Sequence, residues 1–170
     1  DTLEYIYFMA PVLTFAMTAA ITPGPNNIIL STNAVNYGFK ETIPLMMGVF
    51  FGFLSILTLC LLGIGELYQS FPAIAAIVKT VATCFLVYLS FRIFFSSSFS
   101  DGGSSKKFSF MDIYFFQIIN PKAVTVSMSS SAIFIQNKFS YQIEFLLIFI
   151  CFVISTSTSA IAWAAIGHSF

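Results

Sequence analysis

Two short stretches carry residues able to do chemistry: Thr22-Pro23-Gly24-Pro25-Asn26-Asn27, and Asn120-Pro121-Lys122-Ala123 about one hundred residues later. Both sit inside apolar runs. A proline donates no backbone hydrogen bond and its ring clashes with the preceding turn, so each stretch ends one helix and permits another to begin. In a bilayer such a break exposes unpaired amides and carbonyls, each costing several kcal/mol, unless it faces protein or a water-filled cavity. Two breaks at corresponding places in two halves are the best sequence-level pointer to a transporter's substrate site. Asn26, Asn27 and Asn120 can donate and accept hydrogen bonds without carrying charge. Lys122 adds one cation next to the second proline, with an interfacial anchor as its alternative role.

The chain that positions these stretches is a membrane chain. Its 170 residues are 58% hydrophobic and 8% charged, against roughly 25% charged in soluble domains, which excludes a water-soluble reading. Mean hydropathy is +0.91. A formal net charge of zero argues against nucleic acid as a partner. Cys60, Cys84 and Cys151 lie in apolar runs with no Cys-x-x-Cys spacing, which reads as small core or lipid-facing residues. The acidic start Asp1-Thr2-Leu3-Glu4, with no small-residue cleavage motif after its apolar stretch, disfavours a cleaved signal peptide.

The expected architecture is an all-α polytopic membrane protein. A first span runs from about Tyr5 to Ile21, breaks, and resumes from Asn26 to Tyr37, with Gly38 as its cap. After a polar turn at Lys40-Glu41-Thr42, a second span covers about Ile43 to Gly65 and carries Gly48 and Gly52. That Gly-x-x-x-Gly pair admits a close helix neighbour, within the chain or in a homo-oligomer. A third span covers about Ala73 to Phe95, with Lys79 inside it as either a snorkelling or a functional cation. The polar segment 96–107 reads as a flexible linker between a first repeat, 1–95, and a second, 108–170.

In the second half, Phe108 to Ile119 is apolar but interrupted by Asp112 and Gln117, and leads into the Asn120-Pro121 break. The run Ala123 to Phe134 is rich in small hydroxylated residues suited to lining a site. A fifth span runs from about Ile143 to Gly167, with Ser155-Thr156-Ser157-Thr158-Ser159 at its centre; most of these hydroxyls are expected to bond the preceding turn's carbonyls. Five spans with two breaks imply an inverted repeat of three plus three, shortened at its end or completed by another chain. Lys40, Arg92, Lys106 and Lys107 fall on one side if the N-terminus is outside, and the positive-inside rule supports that orientation.

Thr22-Pro23-Gly24-Pro25-Asn26-Asn27, followed by Gly38-Phe39-Lys40, together with Ala76-Ile77-Val78-Lys79, Tyr88-Leu89 and Gln117-Ile118-Ile119-Asn120-Pro121-Lys122-Ala123, resembles the LysE/RhtB family of bacterial amino-acid exporters. The likeness covers about Tyr5 to Trp163. It implies six membrane helices, a place in the bacterial inner (plasma) membrane, and proton-driven export of amino acids or close derivatives. Two departures stand out: a sixth helix is missing, and Met111-Asp112-Ile113 carries an acid where similar sequences tend to have a small residue.

An amino acid is a zwitterion, so its site needs partners for a carboxylate and an ammonium. New helices starting at Pro25 and Pro121 offer amides and a positive dipole end to the carboxylate, with Lys122 as counter-charge. Carbonyls freed before each break are expected to accept the ammonium. Pro23, Gly24, Pro25, Asn26, Asn27, Gln117, Asn120, Pro121 and Lys122 form the expected substrate site. Protons require a titratable group facing it. Glu66, Asp112 and Glu144 are the carboxylates near a span, and Asp112, two turns before Asn120, is the leading candidate beside Lys79. No cofactor motif, metal cluster or catalytic triad can be assembled, and His168 is the single histidine, so an enzyme is not expected. A channel or a non-transporting partner subunit is the alternative. Among substrates, the Pro-Gly-Pro-Asn-Asn form looks like members associated with cysteine and related small neutral amino acids, without separating cysteine from threonine, homoserine or leucine.

Overall fold

A computed structural model describes residues 2–64, 70–73, 76–77, 80, 83–84, 87 and 107–170. The elements are α1 (Thr2–Ile21), α2 (Pro25–Tyr37), α3 (Phe39–Leu59) ending in a π-helical turn (Cys60–Ile64), α4 (Phe110–Ile119), α5 (Pro121–Phe134) and α6 (Tyr141–His168). Among the described residues all regular structure is helical. Among the described residues three stretches, Thr2–Ile21, Phe39–Gly63 and Tyr141–His168, are long and apolar enough to cross a membrane. Most of the expected third span, including Lys79, most of the 96–107 linker, and Glu66 lie outside the described residues.

Both breaks fall where the prolines place them. Pro25 and Pro121 each open a helix, where a missing N–H costs nothing because the first turn has no intrahelical partner. One expectation is corrected. Lys40-Glu41-Thr42 does not form a turn but belongs to the first turn of α3, because Gly38 reverses the chain alone. Its φ of 87° is open to glycine at little cost, and its N–H caps α2 at the Ala34 carbonyl. The Thr42 hydroxyl then donates to the Gly38 carbonyl at 2.9 Å and accepts from Asn33 Nδ2 at 2.9 Å, which fixes the corner. At the far end of α3, Gly63 takes φ 97° and ends the regular helix.

The two broken pairs lie against the long helix of the opposite half. Along α6, Cys151 approaches the Met9 carbonyl, Ser159 bonds that of Ala20, Trp163 that of Ile21, and Gly167 lies against Ser31. The paired numbers rise together, so α6 runs parallel to α1 and then α2. Along α3, Gly48 faces the Phe110 carbonyl and Ile113, Gly52 faces the Tyr114 carbonyl and Gln117, and the Cys60 carbonyl accepts from Ser131. Hence α3 runs parallel to α4 and then α5. The Gly48/Gly52 face is thereby filled from within the chain. A Cβ at Gly52 would lie 2.6 Å from Gln117 Cγ and 2.7 Å from the Tyr114 carbonyl, so α4 approaches only because these positions have no side chain.

Apolar packing follows from this arrangement. One core cluster joins Phe8, Val12 and Ala16 of α1 to Leu57 of α3 and Ile148, Cys151 and Phe152 of α6. A second joins Ile29 and Leu30 to Leu45, Val49, Ile113 and Phe116. Cys60 and Cys151 are buried and Cys84 is exposed, none in a disulfide. The α5–α6 loop is held by Glu144. Fully buried, its carboxylate accepts from the backbone N–H groups of Gln136, Asn137, Lys138 and Phe139 at 2.7–3.2 Å. A carboxylate so engaged is a loop clamp, which explains a buried charge in an apolar helix.

Candidate substrate site between the two breaks

The two breaks meet. Asn26 and Gln117 exchange a reciprocal pair of amide hydrogen bonds, both 2.9 Å, across 91 residues of sequence. Asn120 Nδ2 donates to Asn26 Oδ1 at 3.2 Å and to Gln117 Oε1 at 3.5 Å. Gln117 Nε2 also reaches back to the Ile113 carbonyl at 3.1 Å. These three amides form a closed network in which Gln117 and Asn120 are almost fully buried. Asn120 also caps α5, because its Oδ1 accepts from the Lys122 N–H.

Beside this network lies a cavity of about 60 Å³. Such a volume admits a few water-sized groups, the scale of a compact solute. Ala16, Ala19 and Ala20 of α1 line one wall, at spacings that put them on one helix face. Gly24, Asn26 and Asn27 form its edge, Lys122 and Ala123 close the side of the second break, and Phe53, Phe152, Thr156, Ser159 and Ala160 complete it. Among the described residues of this lining, Lys122 is the single charged one. Its ammonium donates to the Thr22 carbonyl at 2.6 Å and lies so close to Gly24 that a Cβ there would sit 3.1 Å from Nζ. No side chain caps α2, so its first turn opens uncapped beside Asn26 and Asn27, both lining residues.

The carbonyls at the first break are a different matter from the expectation. The chain's own side chains already bond them. Ala20 accepts from Asn27 Nδ2 at 2.9 Å and Ser159 Oγ at 2.6 Å, Ile21 from Trp163 at 3.1 Å, and Thr22 from Asn27 Nδ2 at 2.9 Å and from Lys122. An unpaired carbonyl in this setting is costly, so the fold supplies donors in place of leaving vacancies for an ammonium. The same bonds fix Asn27 with its Nδ2 turned to α1, leaving Oδ1 without a protein donor among the described residues.

Of the expected site residues, Gly24, Asn26, Asn27 and Lys122 line the cavity, and Gln117 and Asn120 join it through Asn26. Pro23, Pro25 and Pro121 act on the backbone: Pro25 and Pro121 each begin a helix. Asp112 is elsewhere. It occupies the first turn of α4, where its carboxylate accepts from Ser109 N–H at 2.8 Å and Ser109 Oγ at 2.9 Å, while the Asp112 N–H donates to Ser109 Oγ at 3.2 Å. This is a capping box, the local reason for an acid at that position. His168 ends α6 and is exposed.

Over residues 17–170 the sequence matches the family model LysE type translocator. The chain belongs to that family. Similar proteins include the cysteine/O-acetylserine efflux protein of Shigella flexneri, 26% identical over 168 residues covering 95% of this chain and 86% of the relative. The cysteine/O-acetylserine efflux protein of Escherichia coli (strain K12) is 26% identical over 158 residues, covering 92% of this chain and 80% of the relative. No solved structure matches the chain significantly. As a LysE type translocator it is a multi-pass membrane protein of a transport family.

Sequence reasoning missed the contribution of α6. Ser159 and Trp163 are four residues apart and meet the carbonyls that the break leaves open, and Thr156, Ser159 and Ala160 present small side chains to the cavity. The available signal was spacing: Phe152, Thr156, Ser159 and Ala160 follow the i, i+4, i+7, i+8 stripe of one helix face.

Proposed function

We propose that this chain exports small neutral amino acids or close derivatives, of the cysteine and O-acetylserine class, from the bacterial cytoplasm across the inner membrane. One observation carries the reading: Lys122 and the uncapped start of α2 converge on a compact cavity between the two breaks. A substrate carboxylate has there a cation and the positive end of a helix dipole. Asn27 Oδ1, oriented by the two bonds its Nδ2 makes, is the acceptor for the ammonium. Alanine walls match a short side chain, and a long cationic side chain has neither room nor a carboxylate to meet among the lining residues.

Transport follows an alternating-access cycle in which one half rocks against the other about this point. The parallel packing of α1–α2 on α6 and of α4–α5 on α3 supports an inverted repeat, because exchanging the halves exchanges the two contacts. The bonds that cross between breaks, Asn26–Gln117, Asn26–Asn120 and Lys122–Thr22, form the contact that the cycle opens. A carboxylate arriving at Lys122 competes with the Thr22 carbonyl for its ammonium, which links loading to opening. The N-terminus lies outside and the proton gradient drives export, a coupling that rests on the likeness to the exporter family.

The test is efflux from proteoliposomes loaded with a panel of amino acids, with and without an imposed pH gradient, beside Asn26→Ala, Asn120→Ala and Lys122→Gln. Gradient-dependent efflux of compact neutral amino acids, reduced at least tenfold in all three variants, is the expected result. Wild-type flux that ignores the gradient and does not saturate would replace the exporter by a channel, and no flux from an inserted chain would indicate a subunit that needs a partner.

A further inference from the structure

The central hydroxyl run of α6 contains five residues, and four of them are already committed. Ser155, Ser157 and Thr158 donate to the carbonyls of Cys151, Val153 and Ile154 one turn back, at 2.6–2.7 Å, while Ser159 crosses to Ala20. Thr156 is the exception. It has no hydrogen-bond partner among the described residues, it is only 8% exposed, and it lines the cavity. A threonine in an apolar helix ordinarily returns its hydroxyl to the preceding turn, as its neighbours do. A hydroxyl withheld from that bond and set in a cavity wall is available to a ligand.

Its position says which part of the ligand. Because α6 runs parallel to α1, with Ser159 beside Ala20 and Trp163 beside Ile21, Thr156 stands about one turn further from the break than Ser159, near the level of Ala16. Lys122 is at the opposite end, beside Thr22 and Gly24. The same cavity is walled by alanines and by the rings of Phe53 and Phe152. An amino acid anchored by its carboxylate at Lys122 directs its side chain along this axis, toward the unpaired hydroxyl.

We propose that Thr156 is a specificity-determining residue that hydrogen-bonds the polar tip of the substrate side chain, a thiol, hydroxyl or ester oxygen, and so favours such substrates over apolar ones of the same shape. The inference rests on the exporter reading given above. Threonine serves as donor to an ester or thiol sulfur and as acceptor from a thiol or hydroxyl, so one residue accommodates each of these groups. Discrimination arises because an apolar tip would leave the hydroxyl unpaired in a nearly dry site.

The decisive experiment compares efflux of cysteine with that of 2-aminobutyrate, which replaces the thiol by a methyl group, in proteoliposomes containing wild type, Thr156→Val or Thr156→Ser. O-acetylserine and 2-amino-5-methylhexanoate, its hydrocarbon isostere, form a second pair. Wild type is expected to prefer the polar member by about tenfold, the weight of one neutral hydrogen bond. Thr156→Val, equal in shape but without the hydroxyl, loses the preference because 2-aminobutyrate no longer leaves a hydroxyl unpaired, so its flux rises toward that of cysteine, which also reports correct insertion. Thr156→Ser keeps the preference. An unchanged ratio in Thr156→Val overturns the assignment and leaves the exporter reading standing. A Thr156→Val chain that fails to insert transfers the decision to Thr156→Ser, whose loss of preference overturns the assignment. Wild-type vesicles that move none of the four amino acids overturn both readings.

Discussion

Replacing Asn26 and Gln117 by alanine, singly and together, measures the bond that ties the two breaks. Two N–H···O bonds of 2.9 Å join the residues. Between membrane helices such bonds average roughly 0.6 kcal/mol each and reach at most about 1.7. The reciprocal pair therefore predicts a coupling energy of about 1.2 kcal/mol in a double-mutant cycle. The single substitutions cost more than the coupling. Gln117 is fully buried, and its removal also deletes the bond to the Ile113 carbonyl and leaves Asn26 Nδ2 with no remaining partner. Asn26 is only half-buried, so its orphaned donor falls toward the low end of the about 1–3 kcal/mol that an unpaired buried group costs, and truncating the fully buried Gln117 leaves a void besides, so Gln117→Ala is expected to lose about 3 kcal/mol. Asn26→Ala loses less, about 2 kcal/mol, because Gln117 Nε2 keeps Ile113. Reversible unfolding in mixed micelles of a mild and a denaturing detergent provides the four free energies. A coupling below about 0.3 kcal/mol, inside the usual error of additivity, would refute the claim that these amides hold the breaks together.

Other perturbations test the frame around the site. In Gly167→Ala the new Cβ would collide with the Ser31 carbonyl oxygen and lie 2.8 Å from the Ser31 Cα, so two backbones must separate; a loss of about 3 kcal/mol and reduced efflux are expected in the same unfolding and transport assays. Glu144→Gln replaces an acceptor-only carboxylate by an amide whose NH2 must face two of the four N–H donors, and a fall of about 3 kcal/mol is expected; stability equal to wild type would show that the loop does not depend on this carboxylate. Asp112→Asn weakens a capping box outside the cavity lining, with an expected loss of no more than about 1 kcal/mol and undiminished pH-driven efflux; loss of the pH response would return Asp112 to proton coupling.

The reach of the sequence follows the range of the forces. A proline's missing N–H and fixed ring act within one turn, so the ends of α1 and the starts of α2 and α5 were legible from Pro23, Pro25 and Pro121. Gly38 as a cap was equally local, although its ability to turn the chain alone left Lys40-Glu41-Thr42 to the helix and not to a loop. That apolar runs are helical also needed no tertiary information, because a backbone in lipid must satisfy itself. Three residues singled out by type, Asn26, Asn27 and Lys122, line the cavity.

What stayed hidden depends on contacts between residues distant in sequence. Composition does not say which donors reach the carbonyls of Ala20, Ile21 and Thr22, and the answer, Asn27, Ser159, Trp163 and Lys122, required α6 to run beside α1 and the second break to lie against the first. Asp112 reads as a lone intramembrane acid until Ser109 is seen to share its capping box. Five hydroxyls in a row look alike in sequence. Packing alone separates three that turn back on their own helix, one that crosses to α1, and Thr156, which stands in the cavity wall with its hydroxyl unpaired.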